Sequence, residues 1–234
     1  MSHGMNLSKS MCSNTDEEIE TMSCIPYASV IGIIMYGIIS TRPDIAYALS
    51  VAGRYQSNPG SLHWKVVKDI LKYLRRTKNF FLIYGSGELE LEGYTDSSLQ
   101  SDVDDSKSTF GFVFKLSGGD VSWKSSKQDT TMDSTTETKY IAASAAAKEG
   151  VWMSDYIQEL GVIPQTVGPV PVYCDNTEDK QQLDDLEQTE VFLSVKMQYT
   201  KAAAPQNSAA TLIRQKKKRL GTAQQAPRRQ TTEE

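Results

Sequence analysis

Two acidic side chains stand where alternating apolar segments end. Asp96 closes Gly93-Tyr94-Thr95-Asp96, and Asp175 follows Val172-Tyr173-Cys174. Between them Ser134-Thr135-Thr136-Glu137-Thr138-Lys139-Tyr140 opens a helix. Two carboxylates at strand ends, with a helix start between them, suit a site that grips a divalent metal, because hard cations take oxygen ligands. Ser134 and Glu137 also have the spacing of a capping box, so Glu137 is expected to reach back to the helix start and not to serve as a ligand.

Three further groups invite a chemical reading. Asp102, Asp104 and Asp105 resemble the start of a calcium loop, but the glycine and terminal glutamate of an EF-hand are absent, so a solvated turn is expected. Lys65, Lys68, Lys72, Arg75 and Arg76 share one face of an amphipathic segment whose other face carries Val67, Ile70, Leu71 and Leu74. Such a stripe is either an ordinary solvated face or a track for phosphates, which supply most sequence-independent nucleic-acid affinity. Three widely spaced cysteines, Cys12, Cys24 and Cys174, argue against a zinc site and for a reducing compartment such as the cytoplasm.

The elements that must position these groups follow from periodicity. Residues 1–25 are polar and expected to be loose. Residues 27–56 read as two helices parted at Ser40-Thr41-Arg42-Pro43-Asp44, where Thr41 and Asp44 have capping-box spacing. The apolar run Ile25 to Ile39 is shorter than the about 20 residues a bilayer needs and reads as a buried helix, so no membrane partner is expected. Asn58-Pro59-Gly60 marks a turn, and a helix then runs to about Arg76. Phe81 to Tyr84, Leu89 to Thr95, Thr109 to Leu116 and Val121 to Ser125 read as strands, the last two joined at Ser117-Gly118-Gly119-Asp120. A long helix over about 135–160, ended by Gly161 and Pro164, precedes a short buried strand, Val170 to Cys174. The order β-β-β-α-β gives an α/β layer with antiparallel strands first and a crossover to a parallel one.

The net charge of −4 conceals an asymmetry. Residues 175–190 hold seven acidic residues and one lysine, whereas from Lys201 onward there are eight Lys or Arg and two glutamates. Residues 181–190 could form an acidic helix, and 202–234 are expected to be disordered. Lys216-Lys217-Lys218-Arg219 has the form of a nuclear-localisation cluster, a pattern common by chance.

Taken together, many motifs in one order carry a specific resemblance. Thr41-Arg42-Pro43-Asp44-Ile45-Ala46-Tyr47-Ala48, Arg54-Tyr55-Gln56-Ser57-Asn58-Pro59-Gly60, Leu71-Lys72-Tyr73-Leu74-Arg75-Arg76-Thr77, Gly93-Tyr94-Thr95-Asp96, Val121-Ser122-Trp123-Lys124-Ser125, Tyr140-Ile141-Ala142-Ala143-Ser144 and Tyr173-Cys174-Asp175-Asn176 resemble copia-type retrotransposon Pol polyproteins over about residues 3–179. The resemblance implies a polar segment (1–25), a helical region like the end of the reverse transcriptase (26–78), a truncated RNase H-like domain with a mixed sheet and crossover helix (79–180), and a divergent tail (181–234). The polymerase Tyr-x-Asp-Asp motif is absent, so polymerase activity is not expected.

The implied chemistry is hydrolysis of the RNA strand of an RNA–DNA hybrid, with two Mg²⁺ ions activating water and stabilising the leaving oxygen. Asp96 and Asp175 match two of the family's ligands. The helix carboxylate falls at Lys139, and Glu137, two residues away, points to another face. The later His-containing segment has no counterpart, since no histidine follows His63. At roughly 4 Å and an effective dielectric near 20, unit charges interact by about 4 kcal/mol, so exchanging a ligand carboxylate for an ammonium weakens metal binding by orders of magnitude. The expectation is a defective ribonuclease with weak nucleic-acid binding. Two alternatives stay open: an active enzyme using an acid from 178–190, and a protein co-opted for binding or scaffolding through its basic helix and tail.

Overall fold

The computed structural model describes residues 6–85, 89–161, 169–174 and the backbone of 195–199. The chain begins with helices: α1 (Asp16–Ser23), α2 (Tyr27–Thr41), α3 (Ala46–Ala52) and α4 (Ser61–Arg76). Strands β1 (Leu91–Ser98), β2 (Thr109–Leu116) and β3 (Gly119–Lys127) come next, then α5 (Thr135–Glu159), β4 (Val170–Cys174) and β5 (Val195–Tyr199). They form one mixed sheet in the order β3-β2-β1-β4-β5. β1 runs antiparallel to β2 and parallel to β4, with Thr95 opposite Cys174.

One face of the sheet is covered by α5. Its small residues Ala142, Ala143, Ala146, Ala147 and Gly150 are buried at helical spacing, which lets the helix lie close to the strands. Ala143, Ala146 and Ala147 meet Phe112, Phe114, Val170 and Val172 in an apolar core. Gly93 has to be glycine here, because a Cβ would stand 2.6 Å from the Phe114 ring. The β2–β3 hairpin turns at Ser117 and Gly118, both at positive φ, the geometry that matches strand twist in two-residue hairpins.

The helices build a second core around Tyr27, Ile31, Ile34, Leu49, Val66, Val67 and Ile70, against which Trp123 of β3 packs. This core joins the opposite side of the sheet through the loop after β1. Arg54 Nη1 donates to Asp102 Oδ2 at 2.6 Å, Lys127 Nζ lies 3.3 Å from Asp102 and 2.6 Å from Asp105, and the Tyr55 hydroxyl donates to Asp104 at 3.0 Å.

Several expectations need correction. Residues 1–25 are not uniformly loose. Thr15 and Glu18 form a reciprocal capping box that starts α1, while Leu7 and Met22 are buried. Thr41 and Asp44 form no such box. Asp44 instead accepts Arg42 Nε and Nη2, both at 2.9 Å, because a bidentate guanidinium outcompetes a backbone N–H. The acidic group at 102–105 is not a solvated turn, since Asp102 is buried between two cations. Helix α2 is buried on one side only, and Ile33, Tyr36 and Ile39 are exposed. Phe81 to Tyr84 belong to no strand, and β5 arises where no strand was expected. The alternation Val195, Met197, Tyr199 against Lys196 and Gln198 was the available signal. The proposed helix at 181–190, the segment 202–234 and the cluster Lys216–Arg219 lie outside the described residues. No single helix among those described is long and apolar enough to cross a membrane.

Candidate functional site

The described part of the site sits where β1 meets the start of α5. Along β1 the side chains of Tyr94 and Thr95 are buried, whereas Asp96 emerges exposed. Its Oδ1 accepts the Ser97 backbone N–H at 2.8 Å, an arrangement that holds the carboxylate at the strand surface. Beside it, Tyr94 stacks on Tyr173 of β4 with ring centroids 5.0 Å apart, which pins the parallel register next to Asp96. Asp175 follows Cys174 directly in the chain and lies outside the described residues.

Helix α5 is tied to this end of the sheet by buried polar contacts. Ser134 Oγ accepts the Glu137 N–H at 3.1 Å, capping the first turn. Thr138 is fully buried, its hydroxyl 3.1 Å from Ser134 O and 3.2 Å from Ser108 Oγ. Gln128 Nε2 donates to Thr138 O at 2.9 Å, and Thr95 Oγ1 donates to Ala142 O at 3.3 Å. The residue before Asp96 is thus bonded to the helix one turn past Lys139.

That geometry separates the two charged residues of the first turns. Lys139 precedes Ala142 and Ala143 by three and four positions, so it extends the stripe that faces the sheet, and it is half-buried. Glu137 lies off that stripe and is exposed. Its backbone N–H takes part in the cap, but the expected return bond from its side chain to the helix start is not among the described contacts. Among the described residues Asp96 is the exposed carboxylate at the strand end and Lys139 the cation on the helix stripe, and no group of three or more His, Cys, Asp or Glu is placed to hold a metal ion.

The basic residues take the placement that periodicity predicts. Lys65, Lys68, Lys72, Arg75 and Arg76 are all exposed, within an arc of about 100° at 100° per residue. His63, Val66, Val67 and Ile70 occupy the buried side. Lys72 pairs with Asp69 at 3.1 Å, a solvated contact.

Three features escaped the sequence reading. One is the ionic junction of Arg54, Asp102, Lys127 and Asp105 described above. Burial alone would push the Asp102 carboxyl up, but the Asp104 N–H, Lys127 and Arg54 outweigh it and hold it below the ordinary range. The second is His63, whose Nδ1 accepts the Gly60 N–H at 2.9 Å while the ring stacks on Tyr55 at 4.2 Å. Burial pushes its pKa down, offset in part by the Ser8 backbone and Asp104. The third is a groove of about 1220 Å³ between α2, α3, β3 and the second half of α5. None of the site residues expected from the sequence lines it.

Comparisons place the chain among transposon proteins. It is 44% identical over 172 residues to the retrovirus-related Pol polyprotein from transposon TNT 1-94 of Nicotiana tabacum, covering 74% of this chain and 13% of that protein. It is 42% identical over 134 residues to the secreted RxLR effector protein 161 of Plasmopara viticola, covering 57% of this chain and 94% of that protein. A third relative, the Pol polyprotein from transposon RE2 of Arabidopsis thaliana, is 33% identical over 151 residues, or 64% of this chain and 10% of that protein. The chain thus spans only about an eighth of the first of these. No family model matches it, and no solved structure does. The chain is homologous to copia-type retrotransposon Pol polyproteins and, over most of that protein's length, to the secreted RxLR effector protein 161.

Proposed function

We propose that the chain is an RNase H-like remnant that keeps the fold and a nucleic-acid-binding face but does not hydrolyse RNA–DNA hybrid. The observation that carries this reading is Lys139. It stands on the sheet-facing stripe of α5, one turn before the helix is bonded to Thr95, where a ligand carboxylate would be needed. Support for the fold comes from the order of three antiparallel strands, a covering helix and a parallel strand, with Asp96 on the central strand. An ammonium in that place repels a divalent cation and supplies an internal counter-charge for acidic neighbours. The retained property is electrostatic: the exposed basic face of α4 would track phosphates without reading sequence.

A cleavage assay tests this. The purified chain should leave a labelled RNA–DNA hybrid intact in Mg²⁺ or Mn²⁺. Lys139→Glu should recover little activity, because the family's later ligand segment has no counterpart here. Efficient cleavage by the unmodified chain, abolished by Asp96→Asn, would promote the active-enzyme reading.

One observation favours a second reading. A relative described as a secreted effector matches this chain over 94% of its own length, so the segment exists elsewhere as a protein by itself. On that reading the chain is a stand-alone binding protein. Hybrid binding that survives about 0.5 M salt would favour it, since purely phosphate-directed affinity collapses there.

A further inference from the structure

The groove runs along an open sheet edge. β3 ends the strand order, and on its outer side no strand pairs with it among the described residues. Nine consecutive residues, Val121 to Asp129, line the groove. Successive strand side chains point to opposite faces, so a cavity that touches all of them follows the edge and not one face. Its two walls lie on opposite faces of the sheet. Met35, Ile38 and Ile39 of α2 form one, and Trp152, Tyr156 and Ile157 of α5 form the other. Trp152 and Tyr156 stack at 5.5 Å and 8°, yet both are half exposed or more.

An edge between two apolar walls selects its occupant. The open backbone groups accept an extended strand, and its alternate side chains would enter one wall and then the other. A strand covered on both faces has to be apolar at nearly every position. This chain carries such a run, Phe81-Leu82-Ile83-Tyr84, with Phe81 75% and Ile83 62% exposed. The run does not line its own groove but abuts the turn into β3, where the Tyr84 hydroxyl donates to Asp120 O and the Gly85 N–H to Ser117 O. From there it can reach a neighbouring molecule without leaving its own hairpin.

We propose that the β3 edge is a strand-addition site occupied by the 81–84 run of a second copy. With the donor run and the acceptor edge adjoining on each molecule, a two-fold axis lets both copies donate at once, which closes the assembly as a dimer. The wall residues supply burial and the backbone supplies register. Apart from the nucleic-acid reading, this gives the chain a self-association surface.

The test is sedimentation equilibrium of the full chain over a concentration series, with circular dichroism to confirm folding. Dimerisation should weaken at least about tenfold with Phe81→Asp/Ile83→Asp, on an exposed segment whose change spares the core. Tyr156→Asp, on the groove wall, should weaken it similarly. Mixing these two variants should restore association, because each retains the half that the other lacks. An acetylated peptide of residues 79–85 should dissociate the dimer and shift the fluorescence of Trp123 and Trp152. A chain that stays monomeric, or a dimer untouched by both variants, overturns the proposal. So does a dimer broken only by Tyr36→Asp, which would assign the contact to the exposed face of α2.

Discussion

Asp102 shows how far one residue can depart from its local context. The triplet Asp102, Asp104, Asp105 marks a turn, and a turn it is, but the partners Arg54 and Tyr55 come from about fifty residues earlier. Nothing in local spacing announces them. Removing the Asp102 charge leaves Arg54 and part of Lys127 without their buried counter-ion, so Asp102→Asn should cost about 3 kcal/mol in a urea unfolding experiment. Because its folded pKa is depressed, Asp102 contributes stability above the ordinary carboxylate value of 3.8, and that contribution is lost as pH falls through the folded value. His63 works the same way at higher pH. Its pKa is lowered from 6.5, so below 6.5 the unfolded chain takes up the proton first and stability declines. His63→Gln should flatten the slope of stability against pH below 6.5, measured by thermal unfolding. An unchanged slope would place the acid sensitivity elsewhere.

At the scale of elements, strong periodicity was legible and weak periodicity was not. α4 and α5 carry apolar stripes long enough to fix both type and limits, and β1 to β4 alternate or are continuously apolar. α1 has no apolar stripe to mark it because its segment is polar, although Thr15 and Glu18 give its start. Phe81 to Tyr84 have strand composition but lie beside the hairpin turn and pair with nothing as a strand, since pairing depends on the neighbour and not on propensity. Of the site, Asp96, the capped start of α5 and the basic face of α4 could be placed from sequence, while the buried ties through Thr138, Gln128 and Ser108 could not. Those ties make the cap testable. Ser134→Ala should destabilise the chain by about 1 kcal/mol, with the loss confined to the first turn of α5 by amide exchange. On α4, Lys65→Gln, Lys68→Gln and Arg75→Gln should each weaken hybrid binding evenly across sequences. Each should lower the slope of log affinity against log salt by about 1. A sequence-dependent loss would mean base contacts instead.

For the molecule as a whole, two cores share one sheet: the helices and α5 sit on opposite faces of β3, and the ionic loop after β1 joins them. Both cores and the ionic loop are built from the chain's own side chains, so on the proposed reading the fold can persist without the chemistry. The account rests on the cation at position 139, and Mn²⁺ titration followed by electron paramagnetic resonance tests it most directly. The unmodified chain should show no saturable Mn²⁺ site up to millimolar metal. Lys139→Glu should create one, and adding Asp96→Asn to it should remove it again. A tight Mn²⁺ site in the unmodified chain, lost on Asp96→Asn and unaffected by Lys139→Glu, would contradict the account.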